Sequence, residues 1–255
     1  MEIRKYLIAL AIKYEGQWEQ IYKAMFLKEE ISDLEIEMYL KYLKCNVLTI
    51  LDESYPDYLK QIIKPPFVLF YYGDISLISN YENNVAIVGS RDASSKGLKN
   101  VYEISKTVSS KYNIVSGLAR GIDAAAHLGA IDGGGKTIAV LGCGIEECYP
   151  TCNQDLYNEI KQSHLLISEY YNYIPPYSRN FPHRNRLIVG FSKGVLLGEA
   201  KPQSGSQITA HMALEMGRTL MSIPSNELNN SLCNLCIREG CPVVLEADDV
   251  YDYLE

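Results

Sequence analysis

The sequence predicts an α/β fold, in which a doubly wound, mostly parallel sheet follows a small helical domain. Short apolar runs alternate with helix-length segments from about residue 85 onward, as is typical of parallel strands that are buried on both faces. Three of these runs end in glycine at the same relative place, at Gly89, Gly117 and Gly142. The first sixty residues, by contrast, show helical spacing of apolar positions and no convincing strand alternation.

Residues 1–60 are predicted to form the helical domain. The apolar run from Tyr6 to Ile12 is too short to cross a membrane and indicates a buried helix. A second helix is expected after a cap at Ser32-Asp33, with apolar residues at helical spacing at Leu34, Met38, Tyr39 and Leu40. Prolines at Tyr55-Pro56 and Pro65-Pro66 break helices, so the second domain is expected over residues 61–255.

The second domain is predicted to hold the sheet. Its candidate strands are Val85–Val88, Asn113–Ser116, Thr137–Leu141, Leu165–Ile167, Gly194–Leu197, Thr219–Ile223 and Pro242–Leu245. In doubly wound sheets, ligands bind at the carboxyl ends of the strands, where the strand order reverses. The glycine-ended loops lie at that edge and are therefore the candidate binding loops.

Composition and charge narrow the class of protein. A formal net charge of -7 argues against a protein that coats nucleic acid through bulk charge, but it is compatible with a local basic site. Seven scattered cysteines favour a reducing cytoplasm over a secreted disulfide framework. Cys233, Cys236 and Cys241 are compatible with the start of a metal site, yet buried thiols are the favoured interpretation. We expect a cytoplasmic protein without metal, cofactor or membrane span.

Two of the glycine-ended loops carry an arginine. Gly89-Ser90-Arg91 precedes a helix that can begin near Ser94-Ser95, and this arrangement suits a phosphate, although a tight turn with a surface arginine explains it equally well. The second loop repeats the design with Gly117, Arg120 and Gly121. In the helix after it, Asp123 is expected to cap the first turn, and His127 is expected to be packed rather than a ligand.

A basic and aromatic segment follows between Tyr170 and Gly198, a stretch without an acidic residue. Its centre combines a phenylalanine and a proline with basic groups in Phe181-Pro182-His183-Arg184-Asn185-Arg186. Basic groups neutralise phosphates and aromatic rings stack on unpaired bases, so this mixture favours a single strand over a duplex. A solvated loop with incidental arginines is the alternative. Farther along, Ser204-Gly205-Ser206 opens a helix and is suited either to capping or to donating to a phosphate.

Taken together and in order, these motifs resemble the DNA-processing protein A family, also called DprA or Smf. The matching residues also include Gly142-Cys143-Gly144, Tyr149-Pro150 and Asn153, and they extend from about Tyr55 to Asp249. The resemblance implies an extended Rossmann-like fold and a helical N-terminal domain, which we expect to be of the SAM or helix-hairpin-helix kind. Many members also carry a C-terminal winged-helix domain, which we do not expect in this sequence up to Glu255. The chain departs from the family pattern at Ser225-Asn226, where a glycine usually follows the proline.

The resemblance also implies a function without catalysis. Members bind single-stranded DNA as homodimers, protect incoming DNA and load a RecA-type recombinase in natural transformation. By position, the expected DNA-binding residues are Gly89, Ser90, Arg91, Gly117, Arg120, Gly121, His183, Arg184, Asn185, Arg186, Ser204, Gly205 and Ser206. Two alternatives remain: a nucleotide-binding or nucleotide-cleaving enzyme with Glu199 as the nearest acid, and a protein-interaction scaffold that uses the apolar helix from Ala210 to Gly217.

Overall fold

The computed structural model describes residues 2–227 and 230–255. Its strands are β1 (Asn46–Thr49), β2 (Val68–Gly73), β3 (Asn84–Val88), β4 (Asn113–Ser116), β5 (Thr137–Gly144), β6 (Leu165–Tyr170), β7 (Gly194–Leu197) and β8 (Thr219–Ser222). Its helices are α1 (Ile3–Lys13), α2 (Trp18–Phe26), α3 (Asp33–Lys41), α4 (Ser95–Val108), α5 (Ile122–Asp132), α6 (Gln154–Ser163), α7 (Asn180–Gly190), α8 (Gly205–Glu215), α9 (Leu232–Arg238) and α10 (Ala247–Leu254).

Within these residues, one eight-stranded sheet has the order β1-β2-β6-β5-β4-β3-β7-β8. The six strands from β6 to β8 in that order are parallel, whereas β2 runs antiparallel to both β1 and β6. The predicted doubly wound, mostly parallel sheet is therefore confirmed. From β3 the chain passes through α4 to β4 on one side, and from β7 it passes through α8 to β8 on the other, so the order reverses between β3 and β7.

Buried side chains cover both faces of the sheet. On one face Leu10 and Ile21 of the N-terminal helices lie in the same apolar cluster as Phe70 and Leu166 of the sheet. A second apolar cluster contains buried side chains of strands β3 and β4 and of helices α4, α5 and α10. The N-terminal helices thus contribute to a core that they share with the sheet.

The structure corrects several details of the sequence prediction. Residues 1–60 are not purely helical, because β1 lies among them and pairs with β2. The segment around Pro242 forms a single bridge, between Val243 and Ser222, instead of a strand. Ser32 caps α3 in a capping box with Glu35, as the Ser32-Asp33 signal predicted, but Leu34 and Met38 of that helix are exposed and Ile36 is buried. The division at residue 60 and the SAM-like or helix-hairpin-helix character stay predictions.

Candidate nucleic-acid interface

A pocket of about 760 Å³ lies where the strand order reverses, at the carboxyl ends of β3 and β7. Most of its wall comes from the loops after β3 and β7 and from the N-terminal parts of α7 and α8, and the loops after β4, β5 and β6 complete it. Its lining includes Gly89, Ser90, Arg91, Tyr149, Phe181, Arg184, Asn185, Lys201, Ser204, Gly205 and Ser206. The pocket is therefore at the edge where the sequence placed the candidate loops.

Arg91 and Phe181 form the exposed side of this pocket. The Arg91 guanidinium carbon lies 5.4 Å from the centre of the Phe181 ring, and Arg91 is solvent-exposed. On the same ring, Tyr149 packs with a centroid separation of 5.6 Å. A cation over one aromatic ring and a second ring beside it offer contacts to both the phosphate and the base of an unpaired nucleotide.

Arg184 forms the floor of the pocket with only 5% of its surface exposed. Its Nη1 donates to the carbonyls of Gly117, at 2.9 Å, and Val140, and its Nε donates to Asn185 Oδ1 at 3.1 Å. Within the described residues its Nη2 has no hydrogen-bond acceptor, which leaves two N–H donors for a ligand. A side chain on Gly117 would meet the guanidinium, since an added Cβ would lie 2.5 Å from Nη2.

Asp123 is the acid beside Arg184, and it is buried. Burial raises the pKa of Asp123, against the opposing effects of Arg184 and of the amides of Ala119 and Gly117. Burial likewise lowers the pKa of Arg184, and Asp123 opposes that change. Among the pocket-lining residues that the structure describes, Asp123 is the single acid, so Arg91 and Lys201 face the solvent without an acidic neighbour in the lining.

Asp123 does not cap α5, contrary to the sequence prediction. Its Oδ2 accepts hydrogen bonds from the amides of Gly117, at 3.2 Å, and Ala119, at 3.4 Å, in the loop before the helix. From the other side, Asn153 Nδ2 donates to the carbonyls of Leu118, at 2.9 Å, and Ala119, at 3.3 Å. In the loop after β4, Asp123 therefore binds the amides and Asn153 binds the carbonyls. Local sequence signals do not indicate this role of Asn153 in fixing the loop.

Arg120 and Gly121 lie at the rim of the site. Arg120 is exposed and pairs with Asp92 at 3.1 Å, next to Arg91, but it is not among the pocket-lining residues. Gly121 precedes α5 with a φ of +77°, and the carbonyl of Ser90 lies too close for a side chain there. The loops after β3 and β4 therefore contact each other. Arg91 and Arg120 lie at the same edge of the sheet, where the sequence predicted both loops.

Arg186 has a different environment from the one predicted. It is 3% exposed, and its two terminal nitrogens each donate to an oxygen of buried Glu169 at 2.6 Å. Further donations go from Nε to the carbonyl of Lys64 and from Nη1 to that of His183, both at 3.0 Å. His183 lies on the same side, with Nε2 3.8 Å from Glu169, and neither residue lines the pocket. Arg186 was expected among the DNA-binding residues, but helix α7 turns it into the core and away from the pocket.

The start of α8 closes the pocket opposite Arg91. Ser204 does not cap the helix with its side chain, and its hydroxyl instead donates to the Lys201 carbonyl at 2.6 Å. Asn185 donates to Thr209 Oγ1 at 3.0 Å, which ties α7 to α8. The amides at Gly205 and Ser206 belong to the first turn, where the backbone donors have no partner inside the helix, and an anion in the pocket would meet them. Lys201, which the sequence analysis did not single out, lies at this wall.

Glu199, the candidate acid of the alternative enzyme, and His127, expected to be packed, both have structural surroundings. Glu199 accepts from the amide and the hydroxyl of Ser94 at 2.9 and 2.6 Å, at the beginning of α4. His127 is fully buried beside Thr137, and burial lowers its pKa to about 3. In the described part of the chain, no group of three His, Cys, Asp or Glu side chains is arranged as metal ligands. No described helix is long and apolar enough to cross a membrane.

Comparison with known proteins matches most of the chain to one family. The family model described as DNA recombination-mediator protein A matches residues 46–255. DNA processing protein DprA of Streptococcus pneumoniae is 39% identical over 229 residues, which cover 89% of this chain and 80% of that protein.

Two solved structures agree with this match. The X-ray structure of DprA from Streptococcus pneumoniae has a TM-score of 0.82 and 38% identity, covering 93% of this chain and 82% of that one. A structure of DNA processing protein A from Helicobacter pylori, described as giving insight into its single-stranded DNA binding mode, has a TM-score of 0.74 and 27% identity, covering 84% of this chain and 96% of that one. On the extent of the family match and these identities, the chain belongs to the DNA recombination-mediator protein A family.

Proposed function

We propose that this protein binds single-stranded DNA in the pocket between β3 and β7 and does not catalyse a reaction. The observation that carries the proposal is the exposed Arg91 beside the Phe181 ring, whose centre also lies 5.9 Å from the guanidinium carbon of the buried Arg184. Guanidinium groups suit phosphates, and an aromatic ring stacks on any unpaired base. The same chemistry would be poorly used by a duplex, because its bases are already stacked.

The family supports this choice of ligand. The Helicobacter pylori relative, whose structure matches over 84% of this chain, is described as binding single-stranded DNA. Gly117, Gly121, Ser204, Gly205 and Ser206 support the site through the backbone, by close approach or by first-turn amides. In our proposal, the residues that contact the DNA are Arg91, Arg184, Lys201 and Phe181. Arg120 holds the rim through Asp92. Arg186 and His183 contribute to the stability of the fold beside Glu169 and do not contact the DNA.

Substitution of Arg91 tests the proposal. We expect Arg91→Ala to weaken binding of a labelled single strand about tenfold, since a charge-assisted hydrogen bond to phosphate contributes about 1.5–3 kcal/mol. The variant should also show a shallower fall of affinity with salt, because fewer counterions are released on binding. Arg238→Ala is the matched control, as Arg238 is an exposed arginine in the last turn of α9. Equal affinity and equal salt dependence in the two variants would refute the pocket as the DNA site.

We further propose the finer role that the family resemblance suggests: a cytoplasmic homodimer that protects incoming single strands and loads a RecA-type recombinase during natural transformation. Sedimentation of the purified protein with and without DNA measures the oligomer. Recombinase filament formation on strands coated by a single-strand-binding protein measures loading. A monomer under both conditions, or filaments that form at the same rate without this protein, would remove the corresponding part of the proposal.

A nucleotide-cleaving enzyme has less support. Glu199, the nearest acid in the sequence, holds the beginning of α4 through Ser94 and is not among the pocket-lining residues. Asp123 is held by the loop amides and by Arg184. Release of free base from nucleoside monophosphates by the purified protein would reverse this preference.

A further inference from the structure

Four aromatic rings form a column on the surface of the N-terminal helices, which we call the aromatic column: Phe67, Trp18, Tyr22 and Phe26. The ring centroids of Phe67 and Trp18 are 5.1 Å apart, those of Trp18 and Tyr22 5.2 Å, and those of Tyr22 and Phe26 6.5 Å. The planes of successive rings differ by only 20°, 8° and 18°. Because the last three rings are four residues apart on α2, they share one face of that helix.

The column is open at one end. Tyr22 is 51% and Phe26 75% exposed, whereas Trp18 is anchored by its Nε1, which donates to the Pro65 carbonyl at 2.8 Å. Within the described residues, no further ring stacks on the outer face of Phe26. Large exposed apolar rings in a row are uncommon unless they contact something. The core does not account for them, because the buried residues of α2 are Ile21 and Ala24 on another face.

Cations accompany the column. Lys64 Nζ lies 5.9 Å from the Trp18 ring centre and is ion-paired with Glu19 on α2, so the cations near the column that lack a partner in the described residues are the next two lysines. Lys23 and Lys28 are exposed near the open end, and the described part of the chain offers neither of them an ion-pair partner. Parallel rings flanked by lysines are the combination that sequence-tolerant binding of unpaired nucleotides uses, whereas a purely apolar partner would gain nothing from the lysines.

Helix α7 links the pocket to the column. Its first turn lines the pocket with Phe181, and one turn later Arg186 donates to the carbonyl of Lys64, the residue above Trp18. A pocket of about 760 Å³ has room for only a short piece of a strand. A longer strand must therefore leave it and run over the neighbouring surface, and the column lies beyond α7.

We propose that the aromatic column is a second binding site for the same single strand, on which bases that lie outside the pocket stack. This proposal rests on the proposed function, because it takes the strand in the pocket as its starting point. It adds a role in DNA binding to the N-terminal helices, which lie outside residues 46–255 matched by the family model.

The chain allows a clean fluorescence probe, because Trp18 is its single tryptophan. Trp18 itself is stacked between Phe67 and Tyr22, so the probe belongs at the open end, and the double variant Trp18→Phe with Phe26→Trp moves the single indole there. We expect quenching of this variant when it is titrated with oligothymidylate of about 30 nucleotides and little change with one of about six, although both bind the pocket. Arg91→Ala should weaken binding of both lengths.

Paired variants separate the column from the pocket. Tyr22→Ala with Phe26→Ala should weaken binding of the long oligothymidylate about five- to tenfold and leave the short one unchanged, since each stacked base contributes modestly. Leu34→Ala with Met38→Ala is the control, because both residues are exposed apolar side chains on α3 at 69% and 54%. Photocrosslinking of a long strand that contains iodouracil to the wild-type protein provides a measurement that does not depend on how the variants fold.

The outcomes distinguish the two proposals. Crosslinks on the α2 peptide together with weaker long-strand binding support the column. Unchanged long-strand affinity, no quenching in the Trp18→Phe, Phe26→Trp variant or crosslinks confined to the pocket would overturn it and assign the rings to a protein contact, while leaving the pocket intact. If wild-type protein binds neither length, the proposed function itself fails.

Discussion

Loss of the Arg186 guanidinium should unfold the protein more readily without acting on the DNA site directly. In Arg186→Met, the Glu169 carboxylate stays 95% buried but loses both of its 2.6 Å donors. Breaking one side of a buried ion pair typically costs about 3–5 kcal/mol. The carbonyls of Lys64 and His183 lose a donor as well. We therefore expect the free energy of unfolding to fall by about 3–5 kcal/mol, and Tm by roughly 6–20 °C for a chain of this size.

Urea denaturation, followed by circular dichroism, measures the free energy of unfolding. DNA titration, scaled to the folded fraction, measures whether the DNA site has changed. Glu169→Gln combined with Arg186→Met should recover much of the loss, because a neutral pair of similar volume removes the uncompensated charge. Affinity for a single strand of about six nucleotides, per folded molecule, should remain within about twofold of wild type, since Arg186 does not line the pocket.

The opposite pattern would refute the reasoning. If Arg186→Met were as stable as wild type and bound DNA tenfold more weakly, Arg186 would contact phosphate, as the sequence alone suggested. The Glu169 pairing would then not describe the protein in solution.

Three further predictions concern the loop, the ring and a buried histidine. Asn153→Ala should lower the free energy of unfolding by about 1–3 kcal/mol, because two carbonyls of the loop after β4 lose their donor. Hydrogen exchange should become faster at the Ala119 amide, and unchanged exchange would contradict this role. Phe181→Leu should weaken single-strand binding by about 1–3 kcal/mol through lost stacking, with duplex binding as the reference, and equal effects on both would argue against stacking. His127 has a folded-state pKa of about 3 against an ordinary 6.5, so its contribution to stability is complete above pH 6.5 and is lost as the pH falls toward 3. His127→Gln should therefore lose about 2–3 kcal/mol less than wild type between pH 7 and 4.5 in urea denaturation, and parallel losses would show that His127 is not the titrating group.

The central strands were predictable because their sequence carries the signal locally. Continuous apolar runs that end in glycine mark β3, β4 and β5 within a few residues. The antiparallel edge was missed. β1 is short, and β2 follows Pro65-Pro66, a pair that indicates the end of a helix and gives no sign of a strand. Their register depends on pairing with each other and with β6, and such long-range partners are not visible in a local pattern.

The position of the site was predictable from its loops and their arginines, but the sequence did not separate the two arginines of α7, of which Arg184 lines the pocket and Arg186 does not. Arg91 and Arg120 follow strand ends, and the fold places strand ends together. Arg184 and Arg186 lie two residues apart on helix α7, so their side chains leave the helix in different directions. The stretch interpreted as free of acids begins at Tyr170, and the partner of Arg186 is Glu169, one residue earlier. Whether an arginine faces solvent or a buried acid is set by tertiary contacts that charge patterning does not contain.

These contacts explain how a chain with a net charge of -7 can present a cationic pocket. Four acids near the pocket have partners within the protein: buried Asp123 is held by loop amides and Arg184, buried Glu169 by Arg186, half-buried Glu199 by Ser94, and exposed Asp92 by Arg120. A buried, hydrogen-bonded carboxylate that is paired with a cation adds little negative potential at the surface, so Arg91 and Lys201 dominate the field that an approaching phosphate meets. The local charge thus arises from where the fold places the acids as much as from the arginines themselves. This is why substitution of Glu169 should act on folding, whereas substitution of Arg91 should act on binding.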